Sequence, residues 1–317
     1  MTYVMLLGGI ALLLLGAEGL VRGGVSLARR LGVSPLLIGL VLVGFGTSTP
    51  ELVASLRAAL AGSPGIAVGN VVGSNIANIL LILGVSAVIR PLACEPRALS
   101  RDGAMLAFAS LIGAAVMLSG ALGRVAGAAL LLLLAGYIVQ TYRRERVAPD
   151  ASAEMHAQEA TAGEPGPASL GGALALALSG LAATVAGADL LVDGALVLAR
   201  AHGIPETVIG LTLVAVGTSL PELATSAVAA LRGQSDVALG NILGSNIYNI
   251  LGILGLTALV RPIAVPAEIL RLDLWVMLAT VAVLLVFART GRRLTRGEGV
   301  CLLAFYGLYL AVLSDIF

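Results

Sequence analysis

Two glutamates, Glu51 and Glu222, lie inside long apolar stretches and in matching company: GTSTPEL at 46–52 and GTSLPEL at 217–223. In each copy a threonine and a serine stand four and three residues before the acid, Thr47 and Ser48 in one, Thr218 and Ser219 in the other. Where the backbone is helical, that spacing puts hydroxyls and carboxylate on one face. Further along, Asn70, Ser74 and Asn78 recur every four residues, and so do Asn241, Ser245 and Asn249. Each trio makes a polar stripe drifting about 40° per step. The donor atoms are all oxygens from carboxylate, amide, hydroxyl or backbone, and no His or Cys joins them. Hard oxygen donors suit Ca²⁺ and Na⁺ and do not suit zinc or copper.

The surroundings sharpen that chemistry. Pro50 lacks the N–H that would reach the carbonyl of Gly46, and Pro221 does the same to Gly217. Each apolar stretch is therefore expected to break there and bare its backbone oxygens. A carboxylate in the centre of a bilayer costs roughly 2.5–3.5 kcal/mol and needs a partner. No arginine stands at matching depth in this reading, so the partners of Glu51 and Glu222 are cations or protons. Two carboxylates balance one divalent ion or two monovalent ones, and competition for one pocket is the simplest physical basis for exchange. Asn75 and Asn246 lie about 100° off the stripes and are expected to bond between helices. Glu18 and Asp189 read as residues near span ends, snorkelling or contacting helix ends.

The elements that must hold these groups follow from composition. Of 317 residues 58% are hydrophobic and only 12% charged, with a mean hydropathy of +1.02. Several windows reach the roughly 20 apolar residues that cross a bilayer, and a barrel would show short alternating segments instead. The chain reads as an all-α polytopic membrane protein with ten spans near 3–21, 36–60, 66–89, 103–120, 124–142, 170–198, 207–231, 237–260, 272–290 and 298–315. The first span lacks a basic leader and reads as retained. The stretch 143–169, rich in Ala, Glu, Pro and Gly, reads as a short flexible connector. Cys94 and Cys301 suggest neither a disulfide framework nor a metal cluster. Nothing in the charge, a net +1, points to nucleic acid.

The halves repeat. A shift of 171 residues aligns 32–91 with 203–262 without a gap, and 33 of the 60 pairs are identical. Five spans per half force the second half to enter from the opposite face, so 1–142 and 170–317 are expected to be inverted five-helix repeats. With both termini outside, fourteen of the nineteen arginines fall on the cytoplasmic side, as positive charge should.

The paired GTSxPE and GNxxGSNIxN motifs, the second at 69–78 and 240–249, resemble the alpha repeats of the sodium/calcium exchanger family, within the wider cation/calcium exchanger superfamily. The resemblance covers nearly the whole chain, and the short connector makes it similar to compact prokaryotic members. It implies electrogenic exchange of several Na⁺ for one Ca²⁺ by alternating access, with the first and sixth helices sliding across a core of the second, third, seventh and eighth. Carried over by motif, Glu51 and Glu222 would be the central ligands. Thr47, Ser48, Thr218 and Ser219 would add hydroxyl or backbone oxygens, Ser74 and Ser245 would flank at sodium positions, and the carbonyls of Gly44 and Ala215 would take part. Asn78 and Asn249 hold the last stripe positions. Potassium-dependent members carry Asp where this chain has Asn249, so the resemblance implies no potassium dependence. Ca²⁺ and Na⁺ are then transported ions, with no cofactor and no protein partner implied, in lipid of a prokaryotic cytoplasmic (inner) membrane.

The alternative is H⁺-coupled exchange of Ca²⁺ or another divalent cation. Proton-coupled relatives carry an extra acid in the second motif, where this chain has SNIAN and SNIYN. A channel would need a continuous pore, usually lined by symmetric subunits, whereas one chain here holds both halves of one site. An intramembrane protease could use the carboxylate pair, but the hydroxyls and amides around each acid have no role in cleavage.

Overall fold

The computed structural model describes residues 2–32, 45–96, 99–147 and 169–316. Among the described residues eight helices are long and apolar enough to cross a membrane, or nine when one bent pair is taken as a single span. In chain order the helices are α1 (Thr2–Arg30), α2 (Thr49–Leu60), α3 (Pro64–Ile89), α4 (Leu99–Met117), α5 (Arg124–Val147) and α6 (Leu170–His202). Then follow α7 (Glu206–Thr218), α8 (Leu220–Arg232), α9 (Ser235–Val260), α10 (Ile269–Arg289) and α11 (Arg296–Ile316). The first part of the span expected at 36–60 lies mostly outside the described residues, as does the body of the connector. α5 runs on to Val147, so the connector's first residues are helical.

The prolines do something other than kink a helix interior. Pro50 and Pro221 occupy the opening turns of α2 and α8, where a missing N–H costs nothing because the first amides of a helix have no partner anyway. The break is real, since α7 and α8 meet at 48°. It does not leave both carbonyls bare, because Gly46 O accepts the amide of Thr49 at 3.2 Å in a tight turn. At their far ends α2 and α8 stop before Gly62 and Gly233, whose φ values of +81° and +76° are the left-handed conformation that ends helices.

α3 and α9 form the centre, with 78% of each spanning window buried. Both contain a π-helical turn just after the asparagine stripe, at Asn78–Leu83 and Asn249–Ile253. On the flank, α1 and α6 pack antiparallel along glycines seven residues apart. A methyl group at Gly16 would lie 2.4 Å from the Thr184 amide nitrogen, and one at Gly180 would lie 2.3 Å from that of Leu20. Such an approach needs bare glycine on both helices. Among the described residues four two-residue strands join the helices: β1 (Leu92–Ala93) pairs antiparallel with β4 (Arg293–Leu294), and β2 (Ala121–Leu122) with β3 (Ile263–Ala264). Each ribbon ties a loop of one half to a loop of the other.

Candidate functional site

Glu51 and Glu222 sit in the first turns of α2 and α8, and both are fully buried. A helix start carries partial positive charge from its unpaired amides, so each carboxylate meets a favourable backbone field. The sequence motif placed the acid; the proline fixes where the helix, and hence that field, begins.

The two halves then complete each other. Ser48 Oγ donates to Glu222 Oε1 at 2.7 Å, and Ser219 Oγ donates to Glu51 Oε1 at 2.8 Å. Ser245 Oγ adds a long contact of 3.4 Å to Glu222 Oε1. Oε2 of both glutamates is buried without a hydrogen-bond partner. Among the described residues neither carboxylate has a basic side chain in ion-pairing distance. Two buried, half-satisfied carboxylates are an arrangement able to pair with a cation or a proton, because buried charge persists only when paired.

The neighbouring polar groups divide into holders and open donors. Asn70 Nδ2 donates to the Glu51 carbonyl at 3.1 Å and to Ser55 Oγ at 2.8 Å. Asn241 Nδ2 repeats this with the Glu222 carbonyl at 3.5 Å and Ser226 Oγ at 3.0 Å. Thr218 Oγ1 lies 3.0 Å from Asn70 Oδ1 and 3.2 Å from the Ala215 carbonyl. These groups position the acids. Thr47 Oγ1, Asn78 Oδ1 and both side-chain polar atoms of Asn249 are buried and unpartnered. Asn78 Nδ2 donates to Asn246 Oδ1 at 3.0 Å, and Asn246 Nδ2 to the Asn75 carbonyl at 3.4 Å, so Asn246 bonds between helices as expected, whereas the Asn75 side chain turns back to the Val71 carbonyl of its own helix at 2.8 Å. The ring of Phe45 stacks on Tyr248 at 4.4 Å on one flank.

Of the expected site residues, Ser48, Ser219 and Ser245 bond the two acids directly, Thr218 and Ser74 reach them through Asn70 and the Ala215 carbonyl, and Gly44 lies outside the described residues. Ala215 O is already approached by the Ser219 amide at 3.1 Å, by Thr218 Oγ1 and by Ser74 Oγ at 3.5 Å, so it is engaged within the protein. Ser55 and Ser226 escaped the sequence reading. Their signal was available: each stands four residues after its glutamate, in both repeats. Asp189 also differs from expectation. It lies well inside α6, where Arg57 of α2 pairs with it and reaches Asp193 at 3.8 Å. The equivalent of Arg57 in the second repeat is Val228, so this bridge has no symmetry mate.

Comparison with known proteins shows the family. The profile of a family described as "Sodium/calcium exchanger protein" matches residues 1–143 and 172–314. The sodium/calcium exchanger MaX1 of Methanosarcina acetivorans is 36% identical over 346 residues, covering 99% of both chains. The inner membrane protein YrbG of Escherichia coli (strain K12) is 36% identical over 312 residues, covering 98% of this chain and 95% of its own. A structure of the sodium-calcium exchanger NCX_Mj soaked with Na⁺ and Sr²⁺ superimposes with a TM-score of 0.65 at 32% identity, covering 98% of this chain and 97% of that one. With a matching profile along most of its length and full-length relatives, the chain belongs to the sodium/calcium exchanger protein family.

Proposed function

We propose that this antiporter exchanges Na⁺ for Ca²⁺ at one shared site between Glu51 and Glu222. The observation that carries the reading is the pair of buried Oε2 atoms without partners. Each Oε1 is already held by the serine of the other repeat, which leaves one oxygen per acid to face an ion. Thr47, Ser48, Thr218, Ser219, Ser74, Ser245, Asn78 and Asn249 complete the oxygen shell in this reading, while Ala215 O holds Thr218 and Ser74. One Ca²⁺ matches the two carboxylate charges, and Na⁺ ions entering the same oxygens displace it. MaX1 and NCX_Mj are described as sodium/calcium exchangers, which supports these ions as the cargo.

Ten spans in two inverted repeats, 1–142 and 170–317, with both termini outside a prokaryotic inner membrane, are the arrangement that fits the arginine asymmetry. α1 and α6 interlock through glycines and move as one body past the centre, opening the site to one face at a time. The test is Ca²⁺ uptake into sealed proteoliposomes loaded with Na⁺. Uptake that needs the outward Na⁺ gradient, and is enhanced by an inside-positive potential, is expected. Uptake driven by a proton gradient instead would move the protein to the H⁺-coupled alternative while keeping the site.

A further inference from the structure

Two more hydroxyls continue the asparagine stripes. Ser86 and Thr257 stand 171 residues apart, at the same position of each repeat, and both are buried. Neither hydroxyl has a hydrogen-bond partner. That is unusual, because a buried Ser or Thr in a helix ordinarily donates to the carbonyl four residues back. Ser110, Thr184 and Thr212 of this chain do so, at 2.7, 2.8 and 2.6 Å. Two symmetry-related exceptions call for a ligand or water.

Helix geometry tells which way they face. In an uninterrupted α-helix, residues eight apart lie about 80° apart around the axis. The π-turns between Asn78 and Ser86, and between Asn249 and Thr257, take up one extra residue and cut the offset to about 20°. Each hydroxyl thus returns to the face of its asparagine. On α3, Gly84 and Ala87 pack against α11 through Leu303 and Gly299, so Ser86 looks the opposite way, towards the interior and α8. On α9, Gly255 and Ala258 pack against Gly127 of α5, which turns Thr257 towards α2.

The two positions also lie towards opposite faces of the molecule. Ser86 precedes Arg90 by one turn, and Arg90 lies against Gly233 at the end of α8. Thr257 precedes Arg261 by one turn, and Arg261 Nη1 donates to the Leu60 carbonyl at the end of α2 at 3.1 Å. α3 separates these ends, since it begins just after α2 and finishes at Ile89, next to Arg90. Each hydroxyl therefore stands between the central glutamates and one surface.

We propose that Ser86 and Thr257 are hydration stations for the transported cation, one in each access route, where a partly hydrated Na⁺ or Ca²⁺ exchanges oxygen ligands between water and the Glu51–Glu222 site. The proposal rests on the exchange reading above, and its first test does not. In a Cys301→Ser background, Ser86→Cys and Thr257→Cys are exposed to a membrane-impermeant cationic thiol reagent from each face in turn. Cys94 stays silent there, since burial, with Glu298 and Asp236 nearby, pushes its thiol up to about 11. Labelling of Ser86→Cys from the Arg90 face alone and of Thr257→Cys from the Arg261 face alone is expected. Absence of labelling from both faces, or labelling from the wrong one, overturns the proposal even if exchange is confirmed.

Transport supplies the second arm. Ser86→Ala is expected to raise the half-saturating Ca²⁺ concentration at the Arg90 face by about fivefold, the effect of one lost hydrogen bond, and to leave the other face unchanged. Thr257→Val should do the reverse, and Ser86→Thr and Thr257→Ser should stay near wild type. Equal changes at both faces would mark a packing role and contradict the proposal.

Discussion

At the scale of residues, the account turns on which oxygens of Glu51 and Glu222 are already used. Glu51→Gln and Glu222→Gln keep the bond from the opposite serine but cannot neutralise an ion. Removing one partner of a buried charge costs about 3–5 kcal/mol, so Ca²⁺ transport should fall by at least about a hundredfold in either variant, read as initial uptake rate. Ser48→Ala and Ser219→Ala remove the bond to the opposite acid together with one oxygen of the proposed shell, and each should weaken Ca²⁺ binding by about tenfold, to similar extents because the bonds are reciprocal. Unequal losses would mean that the two halves of the site are not equivalent. Asn249, with both amide atoms unpartnered, is the position where a charge would be felt most. Asn249→Asp should change the cation and pH profile of uptake; identical profiles would place it outside the ion shell. The glutamates, the hydroxyls just before them and the asparagine stripes were legible in the sequence because their spacing repeats; Ser55 and Ser226 repeat too and were missed. The crossing of Ser48 to Glu222 was not, since no spacing within one repeat reports a contact to the other.

At the scale of elements, the glycine seam of α1 and α6 makes the sharpest prediction. Gly16→Ala puts a methyl group into the backbone of Thr184, whereas Gly8→Ala meets nothing within 4 Å. The first should destabilise by about 1–3 kcal/mol, read as thermal unfolding in detergent, and the second should be neutral or slightly stabilising. Equal effects would show that the helices can separate freely. Arg57→Gln breaks the bridge to Asp189 and Asp193, but those side chains are a third to a half exposed, so a change under about 1 kcal/mol is expected. Nearly every span was readable from apolar length. The π-turns were not, because one extra residue in a turn leaves no mark in residue type. The prolines were expected to break their spans and bare the carbonyls before them; they stand in the opening turns of α2 and α8, and the Gly46 carbonyl is taken up by the Thr49 amide, a detail that the local sequence GTSTPE cannot decide and the folded turn does.

At the scale of the whole molecule, duplication brings two helix starts, each with its glutamate, to one place. Each repeat supplies a carboxylate at a helix start, a serine for the other repeat's acid and an asparagine that holds its own. The ribbons β1–β4 and β2–β3 and the crossing of α3 with α9 keep the halves in register. The central claim is that Na⁺ and Ca²⁺ compete for the oxygens this symmetry gathers. Ca²⁺ binding to the purified protein, titrated at rising Na⁺ and repeated with Glu222→Gln, tests it most directly. The account predicts that Na⁺ displaces Ca²⁺ completely and that the variant binds no Ca²⁺. Ca²⁺ binding indifferent to Na⁺, or undiminished in the variant, would contradict it.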